Sequence, residues 1–562
     1  REVTAQKLPV FSLLQVVGIF IFGSLAGHHP GQVGDYLIQT WPLSSGYSSS
    51  MMLWGDWNVC FSFLGLAATL SLAIYWHLFR GKYYQDLLLL FIWCSGIGFL
   101  IWKQGFIRQD GHVLIAAAYL ILLSIYFLRI YADYPRPRAG MGHPVFGILI
   151  IGALFSFAYS FGLMRQYLEE PPWKMISHRL QAHSPLQLGN AWRFLYDRES
   201  LDRTYGNRLK ALAEKYPLPD LEQKSDFYNA RVGILLANKI PYSPRPIFQS
   251  YSAYMPTLIR KNAEHLKTEG PAHLAVDFVK LDHRPALLAD GLSWLSLFEN
   301  YETREISESG AILIWDRVSP ENRGAIELEL IERGVGTLGE FRSLAEEVGG
   351  PYWIEVEIQK SWWGKIQNFL FKASSIELET RLTNGAMKTF HTPPGMLETG
   401  FLFSPHLEGP QDLLFAGANG FSHPLFSPDV REFRFREKTM LLDTFRENYS
   451  YKLYKMEMGS LPLQKSSFFS RFQSEHSGIL IPYASLEISD SPHKPTLAHN
   501  EGLGHHLFAH APTIFQVENP YPGKRIRIEY GLRDGSWQGE AQTDGVVFSI
   551  FAMRHGAREL LF

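Results

Sequence analysis

The stretch WNVCFSFLGLAATLSLAIYWHLF, residues 57–79, contains no Asp, Glu, Lys or Arg and decides the fold class of the chain. At about 1.5 Å of rise per residue, a helix of this length crosses a hydrocarbon core about 30 Å thick. Comparable runs flank it: Pro9–Leu25 before it, then Leu87–Trp102, Gly111–Leu128 and Ala139–Met164. A single N-terminal apolar run would fit a secretory signal, but a series at short spacing fits a polytopic bundle. An α-helical membrane bundle with about five transmembrane helices is therefore predicted over residues 1–167.

The charges between the runs orient it. Arg1, Lys7, Arg80, Lys82, Arg129, Arg136 and Arg138 fall on one face, against Lys103, Arg108, Arg165 and Lys174 on the other. Since Lys and Arg are retained on the cytoplasmic side, the N-terminus is predicted inside and the chain after about residue 168 outside. Tyr36, Trp41, Tyr47, Trp54 and Trp57 crowd the first outer loop, which is expected to lie along the membrane surface.

A chain of 562 residues with a net charge of −2 and no Lys/Arg-rich run holds several folding units and offers nothing to a nucleic-acid backbone. Its mean hydropathy of −0.07 averages an apolar first third with a polar remainder. Cys60 and Cys94 both sit in apolar runs, so neither a disulfide framework nor a cysteine metal site is expected. The start at Arg1 and the strand-like end at Leu560-Leu561-Phe562 read as a fragment or processed product.

Beyond Arg165, Glu169-Glu170-Pro171-Pro172 breaks the apolar pattern. A strand-like His273–Val279, a helix-like Asp290–Asn300 and a strand-like Gly310–Trp315 predict a small α/β unit within an outward-facing domain, residues 168–319. The alternation in Tyr352–Ile358 and Ile376–Leu382 predicts half-buried strands of a β-sandwich, residues 320–430. Ile526, Ile528 and Tyr530 alternate with Arg525, Arg527 and Glu529 in a second β-rich module, residues 431–562, which reads as cut short. No solenoid repeat stands out.

Candidate chemistry lies first in Lys103-Gln104-Gly105-Phe106-Ile107-Arg108-Gln109-Asp110-Gly111-His112. Arg108 and Lys103 could hold a phosphate, since guanidinium forms bidentate hydrogen bonds and ammonium supplies a point charge. Asp110 or His112 could then move a proton. The structural alternative is interface anchoring by the cations, with Asp110 capping the next helix. A second segment, Pro244–Tyr254, interleaves aromatics with polar groups, so that Arg245, Gln249 and Tyr251 could line a sugar site or simply form a packed turn. Asp282-His283-Arg284-Pro285 and Asp290 follow, and could form ion pairs and nothing more. His499, Glu501, His505, His506 and His510 resemble metal ligands by type only, because Gly502, Gly504 and Pro512 oppose the helix that would align them. No metal and no cofactor is expected.

Trp41–Ser48, Gly105–His112 and Pro244–Tyr254 resemble phrases of uncharacterised multi-pass bacterial inner-membrane proteins. The layout is similar to that of C-type glycosyltransferases, which join a polytopic membrane domain to an outward-facing domain and take sugars from polyprenyl-phosphate carriers. That resemblance implies an inner-membrane location with a periplasmic or extracellular domain, and as partners the lipid bilayer, a polyprenyl-phosphate-linked sugar and an envelope glycan. Asp110 and His112 would then be catalytic, and Lys103, Arg108, Arg245, Gln249 and Tyr251 substrate-binding. The first outer loop departs from the plan, offering Asp35 and Asp56 without the usual paired acidic motif. Glu529–Leu532 with Thr543–Phe548 resembles a carbohydrate-binding β-sandwich. A non-enzymatic, membrane-anchored glycan-binding or envelope assembly protein is the alternative.

Overall fold

The computed structural model describes residues 10–134, 142–167, 196–344, 351–414 and 430–462, except 26, 28, 286, 308–310, 373, 383–386, 408, 411, 439–442 and 459–460. Beyond these it describes only short strands between 487 and 560.

The N-terminal part comprises α1 (Val10–Leu25), α2 (Val33–Ser50), α3 (Trp57–Arg80), α4 (Tyr84–Phe106), α5 (Val113–Asp133) and α6 (Gly142–Tyr167). Of these, the four helices α3 to α6 are long and apolar enough to cross a membrane. The Asp56 carboxylate caps α3 by accepting from the Asn58 amide at 2.9 Å. Small side chains bring α5 and α6 together: Ser160 donates to the Ala117 carbonyl at 3.2 Å, and Ser124 and Ser156 meet at 3.4 Å. Leu72, Trp93, Leu100, Leu122 and Leu154 remain exposed on the outside of this bundle.

The first interhelical loop of the prediction contains a helix, α2. Its first half exposes Tyr36, Leu37, Ile38 and Trp41, while Gly46, Ser48 and Ser50 are buried against the extramembrane region. A Cβ on Gly46 would stand 2.7 Å from the Tyr254 ring, so close approach at that turn depends on glycine.

The α/β unit is a four-stranded sheet in the order β1 (Ser225–Tyr228), β2 (His273–Val276), β4 (Leu313–Arg317), β3 (Tyr301–Ile306). β1 and β2 run parallel and the other pairs antiparallel. Leu274 and Val276 face a core with Trp294, Phe298 and Trp315, whereas Ala275 and Ile314 face Phe227, Ile234 and Leu235. Apolar cover on both faces explains the continuous apolar run Leu274-Ala275-Val276.

Two antiparallel sheets follow. One has the order β10 (Phe401–Ser404), β7 (Tyr352–Glu357), β12 (Asn448–Met458), β5 (Ile326–Thr337). The other has the order β6 (Arg342–Ser343), β11 (Val430–Lys438), β8 (Ser375–Leu382), β9 (Met387–His391). Ile354, Val356, Leu378, Phe433, Phe435, Tyr449 and Tyr451 from both sheets share one core. Since β11 and β12 pair with β8, β7 and β5, the sheet-forming unit continues to Met458. β7 alternates as predicted from Ile354 on, with Ile354 and Val356 in the core between the sheets and Glu357 exposed, but its other face is covered at Trp353, which packs among Trp294 and Trp315 of the α/β unit. Further on, Glu487–Asp490 pairs with Ile514–Gln516, Thr496–Asn500 with Gly504–Phe508, and Phe551–Arg554 with Ala557–Leu560. The runs at 525–530 and 543–548 lie outside the described residues.

Candidate functional site at the joint between bundle and extramembrane region

The segment between α4 and α5 is pinned to the loop between α2 and α3, with the Leu53 amide donating to the Ile107 carbonyl at 3.0 Å and the Gln109 amide to the Leu53 carbonyl at 3.3 Å. This short parallel pairing forms the platform on which the extramembrane region sits. Arg108 projects from it and grips Asp282 with both terminal nitrogens, at 2.9 and 3.1 Å. Its Nε donates to Asp110 at 3.0 Å, and Nη1 also reaches the Met51 carbonyl at 3.2 Å. Burial lowers the guanidinium's proton affinity, but the bonds to Asp282 and Asp110 outweigh it and raise the pKa.

Asp110 links this fork to an imidazole. Its Oδ1 lies 2.5 Å from His112 Nδ1 and accepts from the His112 amide at 3.1 Å. Burial raises this carboxyl, but the His112 and Arg108 hydrogen bonds prevail and hold it below the ordinary Asp value. An ionised Asp110 places the proton on Nδ1 and presents Nε2 as the basic nitrogen. The pair stays accessible, with side chains 36 % and 38 % exposed. Asp110 also shapes the turn before α5 through the His112 amide, but the N-cap position of that helix is His112, which carries no side-chain cap.

Asp282 arrives from the carboxyl end of β2, the end of a parallel pair where open α/β sheets commonly bind ligands. Asp282 and His283 both adopt positive φ, at 50° and 58°. Such residues cost about 1–3 kcal/mol each and persist where surrounding contacts hold them. Here the Arg108 fork holds Asp282, and the His283 carbonyl accepts from the His391 amide at 3.1 Å. Arg284 follows, donating to the Ser50 carbonyl at the end of α2 at 2.5 Å and to the Tyr251 carbonyl at 3.0 Å. Burial pushes this guanidinium down to about 10, leaving it charged at neutral pH. Tyr47 completes the cluster: burial raises its phenol, and Arg108, Asp110, Asp282 and Tyr251 are all close enough to act on it.

The remaining candidates fall elsewhere. Arg245 is fully buried in the α/β unit, bonded to Asp226 at 2.6 Å and to the Phe227, Asn229 and Phe248 carbonyls. It holds the 244–254 segment against β1. Gln249 is half-buried and accepts from Ser252 at 3.4 Å. Tyr251 alone of these three adjoins the Arg108 cluster. Lys103 donates to the Asn368 and Phe369 carbonyls at 2.8 and 2.9 Å, ending a helix of the extramembrane region.

Reading the sequence missed Lys372. Its ammonium donates to the Leu53 carbonyl at 2.7 Å and Gln109 Oε1 at 2.6 Å, and lies 4.5 Å over the Trp54 ring. Burial pushes it down to about 7. Nothing near Lys372 in sequence marks it, because its partners belong to the bundle.

Asp290 lies behind the site, also at positive φ, with Asn262 donating to it at 2.8 Å. Burial pushes its carboxyl up to about 7 against the pull of Arg245. The folded state therefore keeps a proton that the unfolded chain releases, so this contribution to stability declines as pH rises from about 3.8 to about 7. Asp290→Asn should flatten that part of the thermal-midpoint profile of the detergent-solubilised protein. An unchanged slope would show that Asp290 does not titrate in this window.

An open groove of about 970 Å³ between the helices Pro256–Thr268 and Ser293–Asn300 includes Arg260, Lys261, Glu264 and Glu299, of which Lys261 donates to Gln39 of α2 at 3.2 Å. Among the described residues no group of three His, Cys, Asp or Glu side chains could hold a metal ion. The side chains of the 499–510 histidine run lie outside the described ones. Comparison with protein-family models, with curated proteins and with solved structures finds no match to this chain.

Proposed function

We propose that the chain is a glycosyltransferase-like enzyme of the bacterial inner membrane that acts on a lipid-linked sugar at the outer face. The observation that carries the reading is the accessible Asp110–His112 pair, clamped by Arg108 and Asp282 where the bundle meets the extramembrane region. In this reading His112 Nε2 takes the proton of an acceptor hydroxyl as its oxygen attacks the sugar's anomeric carbon. The bond from that carbon to the carrier phosphate breaks, and polyprenyl phosphate leaves. Asp110, held ionised, orients the imidazole and stabilises its cationic form. Arg108 positions both carboxylates, and Tyr47 and Tyr251 line the approach. The two antiparallel sheets, read as a sandwich, would hold the acceptor glycan. Incubating the reconstituted chain with polyprenyl-phosphate-linked sugars should release polyprenyl phosphate. Release unaffected by His112→Ala would remove the dyad from the mechanism.

A specific observation favours the alternative of a glycan-binding or assembly protein: Arg108 and Lys103 already engage protein acceptors, so the loop can serve as a joint alone. Glycan-array binding by the full chain, unchanged in His112→Ala and unaccompanied by carrier release, would establish that alternative.

With five helices and the N-terminus inside, alkaline phosphatase fused after residue 320 should be active and a fusion at residue 81 silent. The reverse pattern would put the site on the cytoplasmic side.

A further inference from the structure

The helix Trp362–Leu370 joins β7 to β8, and its apolar residues Trp362, Trp363, Ile366, Phe369 and Leu370 recur on one face at helical spacing. That face is not covered: Trp362, Trp363, Phe369 and Leu370 are 68, 62, 67 and 53 % exposed. The helix cannot roll to bury them. Gly364, on the opposite face, lies so close to the loop before β12 that a Cβ there would stand 1.8 Å from the Thr444 carbonyl oxygen. Ser361 caps the start, accepting from the Gly364 amide at 3.0 Å. At the other end, Lys103 and Trp102 of α4 donate to the last carbonyls, including Trp102 Nε1 to Leu370 at 3.1 Å.

We propose that this helix lies in the plane of the bilayer and sinks its apolar face into the boundary between headgroups and acyl chains. Continuity with the bundle identifies the occupant. The Phe369 ring lies 5.8 Å from Phe99 of α4, and Phe371 stacks on Trp102 at 4.8 Å. Phe99 and Lys103 precede the end of α4 at Phe106, so the contact lies about 5–10 Å below the end of a spanning helix. Interfacial helices bury their apolar side to that depth. Trp93 and Leu100 carry the same exposed apolar surface further along α4. The exposed Lys365 at the edge of the apolar face suits anionic headgroups. Immersion of this helix would hold Phe371 and Lys372 against the platform, and the inference stands whether or not the chain is an enzyme.

Nitroxide labels at Trp363→Cys and Phe369→Cys, in a Cys60→Ser/Cys94→Ser background, test it in vesicles of phosphatidylcholine and phosphatidylglycerol. A label at Val335→Cys, on the exposed side of β5, is the aqueous control. The ratio of oxygen to nickel-complex collisions should be several-fold higher at 363 and 369 than at 335, because an apolar face buried at the headgroup and acyl boundary meets oxygen and excludes the polar complex. Equal ratios would overturn the proposal, as would dipolar broadening or exclusion of both reagents, which would mean a second copy or another protein covers the face. The unsubstituted chain gives an independent readout. Phosphatidylcholine with a diazirine on its acyl chain should label the peptides of both α4 and residues 362–370, and label on α4 alone would overturn the proposal.

Discussion

Arg245→Met is expected to destabilise the extramembrane region by about 3–5 kcal/mol, the cost of breaking a buried ion pair from one side. Arg245 and Asp226 both have fully buried side chains, and the same guanidinium satisfies the Phe227, Asn229 and Phe248 carbonyls and the Ser250 hydroxyl. Removing it leaves Asp226 with no countercharge and frees the 244–254 segment from β1. Replacing both partners, as in Arg245→Met/Asp226→Leu, should recover part of the loss, because Asp226 no longer stands as an isolated charge, although Asp290 loses its 4.0 Å contact with the guanidinium. The three carbonyls still lack a donor, so recovery stays incomplete. The thermal midpoint in detergent and protease sensitivity between β1 and β2 measure both variants. A wild-type midpoint in the single variant would refute the structural role given to Arg245.

In the proposed mechanism, His112→Gln should reduce sugar transfer about 10²- to 10⁴-fold while leaving substrate affinity nearly unchanged, as for loss of a general base. Asp110→Asn should also reduce turnover, because a neutral amide can no longer stabilise the imidazolium form. Asp282→Asn should act differently. It weakens the Arg108 fork that ties the bundle to the extramembrane region, so stability should fall along with activity. Steady-state kinetics on vesicles, paired with melting curves, separate these outcomes. If His112→Gln and Asp282→Asn lose activity and stability in the same proportion, the cluster is a joint without a chemical role.

The sequence marked the Arg108–His112 loop because charged groups between apolar runs are conspicuous. It left either Asp110 or His112 to move the proton, and the hydrogen bonds from Arg108 and His112, which hold Asp110 below the ordinary Asp value, are what support His112 as the base in the proposed mechanism. The other partner of Arg108, Asp282, lies 174 residues away. Asp282–Arg284 stood out only as a cluster of charges, with no local signal for its partner. Arg245 attracted notice as a sugar ligand among aromatics. Its burial follows from the fold of β1 and the crossover, which residue type does not reveal.

By itself the sequence determined the apolar helices, the strands at His273–Val276 and Leu313–Arg317 with the helix between them, though not β3, and the alternation from Ile354 along β7, while the break at 169–172 lies outside the described residues. These are properties of neighbours within one element, where spacing alone decides which side meets lipid, core or water. Only the tertiary structure decided that Trp353 is buried on the face of β7 opposite Ile354, that Lys372 reaches Leu53 and Gln109, and that Arg108 closes on Asp282 rather than remaining free. Each depends on what a distant segment presents across the contact: a hydrogen bond or an ion pair needs atoms within about 3 Å, and spacing along the chain carries no record of that distance.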